Sequence, residues 1–312
     1  MKPYDLALLF LLAALWGASF LFIRVASPAL GPLALIAARV LLAAAVLALY
    51  AAATRRLPDL RSRWKSYLLL GIVNAAIPFT LIATAELRLT ASLAAILNAT
   101  TPLFAALVAA LWLGERITPK RALGLALGLA GVAILVGWSP LRLDGPVLLA
   151  IAASLGGAVA YAVGGVYASS GAFKGAPPLA LAIGQQLGAG IVLLPLAATH
   201  VPTAAPSMGV VLAFLGLSLL ATAVAYLIYF RLIASVGPTK TLTVTILVPV
   251  FGLLWGALFL HEPVGLGTLA GLAVVLISVV LVTGLRLPVL TRAPVHAYAV
   301  APQSTGAKER RQ

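Results

Sequence analysis

Residues 91–113 read ASLAAILNATTPLFAALVAALWL, and residues 238–260 read PTKTLTVTILVPVFGLLWGALFL. Each run is about the length that an apolar helix needs to cross a bilayer. Offset by 147 positions, Ala91–Gly137 lies over Pro238–Gly284. Pro102 then falls on Pro249, Phe104 on Phe251, Glu115 on Glu262, Gly124 on Gly271 and Gly137 on Gly284. Matches of Leu and Ala carry little in so apolar a chain, whereas aligned Pro, Phe and Glu carry more. A second echo sets Pro32-Leu33-Ala34-Leu35 against Pro178-Leu179-Ala180-Leu181. One five-helix unit is therefore predicted to occur twice. Five is odd, so the second copy must thread the membrane upside down. Inverted repeats of this kind are a transporter design, with the substrate site near the bilayer midplane.

Working outward, further apolar runs predict helices over Asp5–Val25, Pro32–Ala53, Ser66–Glu86, Ala122–Trp138, Gly145–Ala168, Pro178–Ala198, Met208–Ala234 and Gly265–Leu285. With Ala91–Leu113 and Thr239–Leu260 they make ten. The fold class is an all-α integral membrane protein of ten transmembrane helices in two inverted five-helix repeats. The first repeat occupies residues 1–140, the second 141–286, and a Pro-, Ala- and charge-rich stretch over 287–312 reads as a disordered basic cytoplasmic tail. Composition agrees. Of 312 residues 62% are hydrophobic and 9% charged, with a mean hydropathy of +1.12. A soluble domain carries roughly 25% charged residues. The first apolar run is too long for a signal-peptide core and is expected to stay uncleaved.

The net charge of +14 does not point to nucleic acid, because no soluble scaffold is visible to present a basic face. Lys and Arg instead mark cytoplasmic loops. With the N-terminus inside, the cytoplasmic set is Lys2, Arg55, Arg56, Arg61, Arg63, Lys65, Arg116, Lys120, Arg121, Lys174, Arg231, Lys240 and the tail. External segments keep only Arg88 and Arg142, with Arg24 at the outer end of the first helix. Both termini are expected in the cytoplasm, and the chain in the cell membrane among its lipids.

Leu15-Trp16-Gly17-Ala18-Ser19-Phe20, Asn74-Ala75-Ala76-Ile77-Pro78-Phe79, the segment Ala94–Phe104 and Leu113-Gly114-Glu115-Arg116 resemble the EamA-like family of the drug/metabolite transporter superfamily. The similarity runs to about Leu285 and is most specific in the first half. In the second, His261-Glu262-Pro263 replaces the usual Gly-Glu pair, and the sixth helix lacks the family's Trp-Ala pattern. The resemblance implies ten helices, cytoplasmic termini and export of amino acids or other metabolites by alternating access.

Three mid-span prolines each follow a polar residue by four positions: Asn74 before Pro78, Asn98 before Pro102, and Thr245 before Pro249. A proline frees the carbonyl four residues earlier and kinks the helix. Irregular backbone at that depth must be buried or line a cavity. The kinks either form a central site, with Asn98, Thr101 and Thr245 offering hydrogen bonds, or shape the bundle by bonding between helices. Arg39 lies within the second helix, where a charge costs about 2.5–3.5 kcal/mol and should face a partner. Glu86 is the best candidate for an ion pair, with Arg24 or Arg88 sharing it. The alternative is that Arg39 holds a substrate carboxylate. Its counterpart in the second half is neutral Gln185.

No Asp or Glu occupies the centre of a predicted span, which disfavours a multidrug-cation pump. Zwitterionic or anionic small metabolites suit the available amide, hydroxyl and guanidinium groups. Trp64, Trp112 and Trp138 fall at helix ends, where an interfacial belt expects them. Trp16 and Trp255 sit mid-span and either pack or line the cavity; Tyr161, Tyr226 and Tyr229 are candidates for the same passage. Glu115 and Glu262 read as solvated helix-boundary residues, the former within reach of Arg116 and Lys120. Gly124 with Gly128 and Gly267 with Gly271 permit close helix approach, within the bundle or between subunits. A monomer or weak homodimer is expected. Gly265-x-Gly267 opens a membrane helix with no strand before it and is no nucleotide fingerprint. The absence of cysteine excludes disulfides and thiolate metal sites. His200, His261 and His296 show no metal-ligand spacing, and no nucleophile motif is present, so neither an enzyme nor a cofactor is expected. A passive channel or lipid scramblase-like protein is the alternative to a carrier, because either needs only the polar track.

Overall fold

Helix boundaries follow the chain's punctuation. In the computed structural model, which describes residues 1–139, 141–199 and 205–284, all regular structure is helical. The ten rods are α1 Pro3–Leu30, α2 Pro32–Ala53, α3 Trp64–Ala85, α4 Ala91–Leu113, α5 Pro119–Gly137, α6 Gly145–Ala168, α7 Pro178–Ala197, α8 Met208–Val236, α9 Val244–Leu260 and α10 Leu266–Thr283. Among the described residues, nine are long and apolar enough to cross a membrane; α9, with 17 residues, is shorter. The sequence predicts α9 from Thr239, but Leu242 and Thr243 interrupt it, leaving a separate helical turn over Pro238–Thr241. The predicted tail and His200 lie outside the described residues.

Local chemistry sets the ends. Thr90, Thr118, Asp144 and Ser207 each accept a hydrogen bond from the main-chain N–H three residues on, capping α4, α5, α6 and α8. A single residue, Gly31, turns the chain between α1 and α2 at φ 75°, a conformation open to glycine without a Cβ penalty.

The predicted proline kinks take three different forms. Around Asn74 and Pro78, residues Ile72–Ala76 widen into a π-helical turn inside α3. At Pro102 the backbone of α4 breaks across Ala99 and Thr100 and restarts at Thr101, whose hydroxyl donates to the Asn98 carbonyl at 2.7 Å. That carbonyl is the one the proline frees. Pro249 stays inside a continuous α9. The sequence pattern does not indicate a second π-helical segment, Gly216–Val224 in α8.

The halves interlock by exchanging contacts. α2 packs on α7 and α5 on α10, while α1 meets α8 and α9 as α6 meets α3 and α4. Glycines set the closest approaches. A Cβ on Gly124 would sit 2.7 Å from Val282, one on Gly131 2.9 Å from Val275, and one on Gly271 2.7 Å from Leu135. The start of α5 therefore lies against the end of α10, and the two run in opposite directions. Gly184 and Gly188 of α7 similarly admit Tyr67 of α3.

Candidate functional site

Two polar cross-links join the halves in the middle of the bundle. Arg39 of α2, 4% exposed, donates from Nε to Oγ1 of Thr222 in α8 at 2.9 Å. Thr222 donates in turn to the Leu217 carbonyl at 2.7 Å, five residues back, as the π-helical register allows. Across the bundle, Asn74 Nδ2 of α3 donates to Gln185 Oε1 of α7 at 2.8 Å. Arg39 and Gln185 occupy matching places in the two repeats, and Asn74 and Thr222 both sit in π-helical segments. Each half thus reaches from its second helix to the third helix of the other. π-helical turns inside α-helices recur at functional sites.

Aromatic rings enclose the charged cross-link. The guanidinium of Arg39 lies 3.8 Å from the centroid of Phe79, a cation–π contact. Phe79 meets Tyr161 edge-on at 5.8 Å. Trp16 packs on Tyr226 at 6.5 Å and on Tyr229 at 5.4 Å. Tyr161 and Tyr226 are the two phenols near Arg39. With Nε held by Thr222, neither terminal nitrogen of Arg39 hydrogen-bonds to a described residue, which leaves a two-pronged donor face inside an aromatic enclosure.

The expected Arg39–Glu86 ion pair does not form. Arg39 is committed to Thr222 and Phe79, and Glu86 sits at the end of α3 with its main-chain carbonyl accepting from Arg24 Nη1 at 2.5 Å. Among the described residues the one ion pair within 4 Å joins Glu115 to Arg121 at 3.0 Å, on the surface, rather than to Arg116 or Lys120. Glu262 also departs from expectation, being half-buried rather than solvated. Its carboxylate accepts from the main-chain N–H groups of Ala91 at 2.7 Å and Ser92 at 2.9 Å and from the Ser92 hydroxyl at 2.5 Å. It therefore clamps the end of α9 to the start of α4.

The structure brings Trp16, Arg39, Asn74, Tyr161 and Tyr226 into one central region, with Pro78 just beyond the π-helical turn that carries Asn74. No hydrogen bond or ring contact among the described residues ties Asn98, Thr101, Pro102, Thr245 or Pro249 to these side chains, although Val248 and Phe251 of α9 pack in the same cluster as Trp16 and Tyr161. Thr101 and Thr245 donate only to carbonyls of their own helices, and the buried Oδ1 of Asn98 has no partner. Trp255 packs, donating to the Ala14 carbonyl at 2.9 Å. Trp64, Trp112 and Trp138 point outward. Thr222 and Phe79 are the members that the sequence reading passes over.

The comparison with known proteins also divides the chain into two units. The sequence matches the EamA-like transporter family over residues 5–137 and again over 148–284. The chain belongs to this family. It is similar to the uncharacterized transporter YvbV of Bacillus subtilis, with 27% identity over 283 residues covering 90% of this chain and 92% of that one. It is also similar to the uncharacterized inner membrane transporter YedA of Escherichia coli K12, with 30% identity covering 88% and 89%. A solved crystal structure superposes with a TM-score of 0.66 at 19% identity, covering 91% of this chain and 98% of that one, which shows the shared fold. As an EamA-like protein the chain is a multi-pass membrane transporter, a class distinct from enzymes.

Proposed function

We propose that this EamA-like transporter is a carrier that exports a small zwitterionic or anionic metabolite, such as an amino acid, by alternating access to one central site. The unengaged donor face of Arg39, fixed between the halves and walled by aromatic rings, carries the reading. A planar guanidinium binds a carboxylate through two parallel hydrogen bonds, which a point charge cannot do. Tyr161, Tyr226 and the Asn74–Gln185 amides stand ready for the remaining polar groups of a small molecule.

Alternation is supported by the unequal ends. Glu262 clamps α9 onto α4, whereas Glu115, its counterpart, stays on the surface. α1 packs on α4, while the corresponding pair α6 and α9 hardly touch. The Lys and Arg distribution supports an orientation with the clamped end outside and both termini in the cytoplasm, in a cell-membrane protein whose halves are inverted. A monomer or weak homodimer suffices, because the α5 and α10 glycines are used within the chain.

The test is a thermal-shift screen of zwitterionic and anionic metabolites on purified protein, followed by uptake of the hit into proteoliposomes. Saturable, stereoselective uptake is expected. Unsaturable flux would mean a channel, and lipid redistribution a scramblase. Arg39→Ala should lower uptake about 10- to 100-fold, the worth of one charge-assisted hydrogen bond. Trp112→Ala, which faces outward, should change it about two-fold at most. Equal activity of the two variants at matched membrane abundance would remove Arg39 from the site.

A further inference from the structure

The central site leaves a fully buried acid, Glu86, unused. Glu86 follows the last residue of α3, is 0% exposed, and neither of its carboxyl oxygens has a hydrogen-bond partner among the described residues. Among the described residues the nearby charges are otherwise engaged. Arg24 of α1 spends Nη1 on the Glu86 main-chain carbonyl rather than on the carboxyl group. Arg39 of α2 is held by Thr222 and Phe79. Glu262, beyond α9, receives three donors from α4 and so serves as the ionised cap of that helix. These three are the charged groups close enough to act on Glu86. Arg88, on its own segment, and His261, beside Glu262, are exposed. A carboxylate buried without a donor is penalised by several kcal/mol, and a neutral carboxylic acid far less.

A cavity of about 380 Å³ lies at the same end, lined by Arg24, Val25, Pro28, Thr90, Leu260 and Glu262. It therefore touches both the arginine that holds the Glu86 backbone and the acid that clamps α4.

We propose that Glu86 is a proton-binding site, holding its proton while the Glu262 clamp is closed and releasing it into the Arg24–Glu262 cavity when that end opens. On release the O–H bond breaks, the proton passes to water in the cavity, and the carboxylate left behind pairs with Arg24. Only the coupling of this proton to transport rests on the carrier reading; the proton site does not. Once ionised, Glu86 repels Glu262 and so keeps the clamp from closing again until a proton rebinds.

The proton itself is the probe. Infrared spectra of the reconstituted full chain near neutral pH should show the carbonyl stretch of a protonated carboxylic acid, shifted in heavy water and lost in Glu86→Gln. Glu86→Asp should keep that band at a shifted position, which covers the case in which Glu86→Gln does not fold. Absence of the band in the parent chain, or its persistence unchanged in both variants, overturns the assignment. Uptake separates the two ideas. The band without saturable uptake of any screened metabolite defeats the carrier reading alone. Saturable uptake without the band defeats the proton site alone.

Discussion

The ends of α4 and α9 are the same piece of chain written twice and used differently. Gly114-Glu115 closes the first and His261-Glu262 the second, 147 positions apart, and both caps adopt the left-handed conformation, at φ 70° and φ 55°. Yet Glu262 reaches across the bundle to the first two N–H groups of α4, while Glu115 pairs with Arg121, six residues on in the first turn of α5. A helix start offers unsatisfied N–H groups and a partial positive charge, so a carboxylate placed there is well bound. Identical chemistry is thus engaged at one end and idle at the other. On the carrier reading proposed above one end has to open while the other is held, and this difference between the two copies is what such a cycle needs.

Glu262→Ala is the largest expected break in that comparison. It removes three hydrogen bonds, two of them caps of α4, and should destabilise the closed end by about 2–4 kcal/mol. The chain has no cysteine, so one can be added as a reporter. Ala94→Cys, at a position with 0% exposure on α4, should be protected from an impermeant thiol reagent in the parent and labelled in the Glu262→Ala background. Equal labelling in both would show that the clamp closes nothing.

The caps themselves allow a finer test. His261 holds a left-handed conformation with a side chain attached, a strain of about 1–2 kcal/mol that Gly114 avoids. His261→Gly should therefore raise the melting temperature in detergent, and Gly114→Ala should lower it by a comparable free energy. If both exchanges moved stability in the same direction, the two ends would not be conformational counterparts.

Much of this fold is legible from sequence because its signals are local or periodic. Apolar runs placed each long helix, though not the separate turn over Pro238–Thr241, and the offset of 147 paired α4 with α9. Pro78 and Pro102 marked real irregularities in α3 and α4. The site was legible only in part. Arg39 stood out because a charge inside an apolar run must be explained, but its partner did not. Thr222 lies in a run whose π-helical register leaves no trace in an unbroken apolar pattern. Glu86 was the electrostatically obvious partner, yet it ends its helix beside Arg24 while Arg39 is held at Thr222. Glu262 looked like a surface residue because its donors, Ala91 and Ser92, are about 170 positions away in the chain. Asn98, Thr101 and Thr245 were grouped by their depth in the span, which says nothing of the direction each faces.

Glu115→Ala should have the smallest effect, and for that reason bears most directly on the asymmetry. Its ion pair with Arg121 is exposed, with side chains 47% and 36% accessible. Such pairs contribute between zero and about 1 kcal/mol and weaken with salt. Its loss should leave the Ala94→Cys reporter protected and shift the melting temperature by less than Glu262→Ala does, the residual difference shrinking as ionic strength rises. A shift as large as that of Glu262→Ala, insensitive to salt, would mean that Glu115 also clamps a helix start in the state that dominates in solution. The two ends would then be equivalent on average, and the closed end described here would be one of two equally populated conformations.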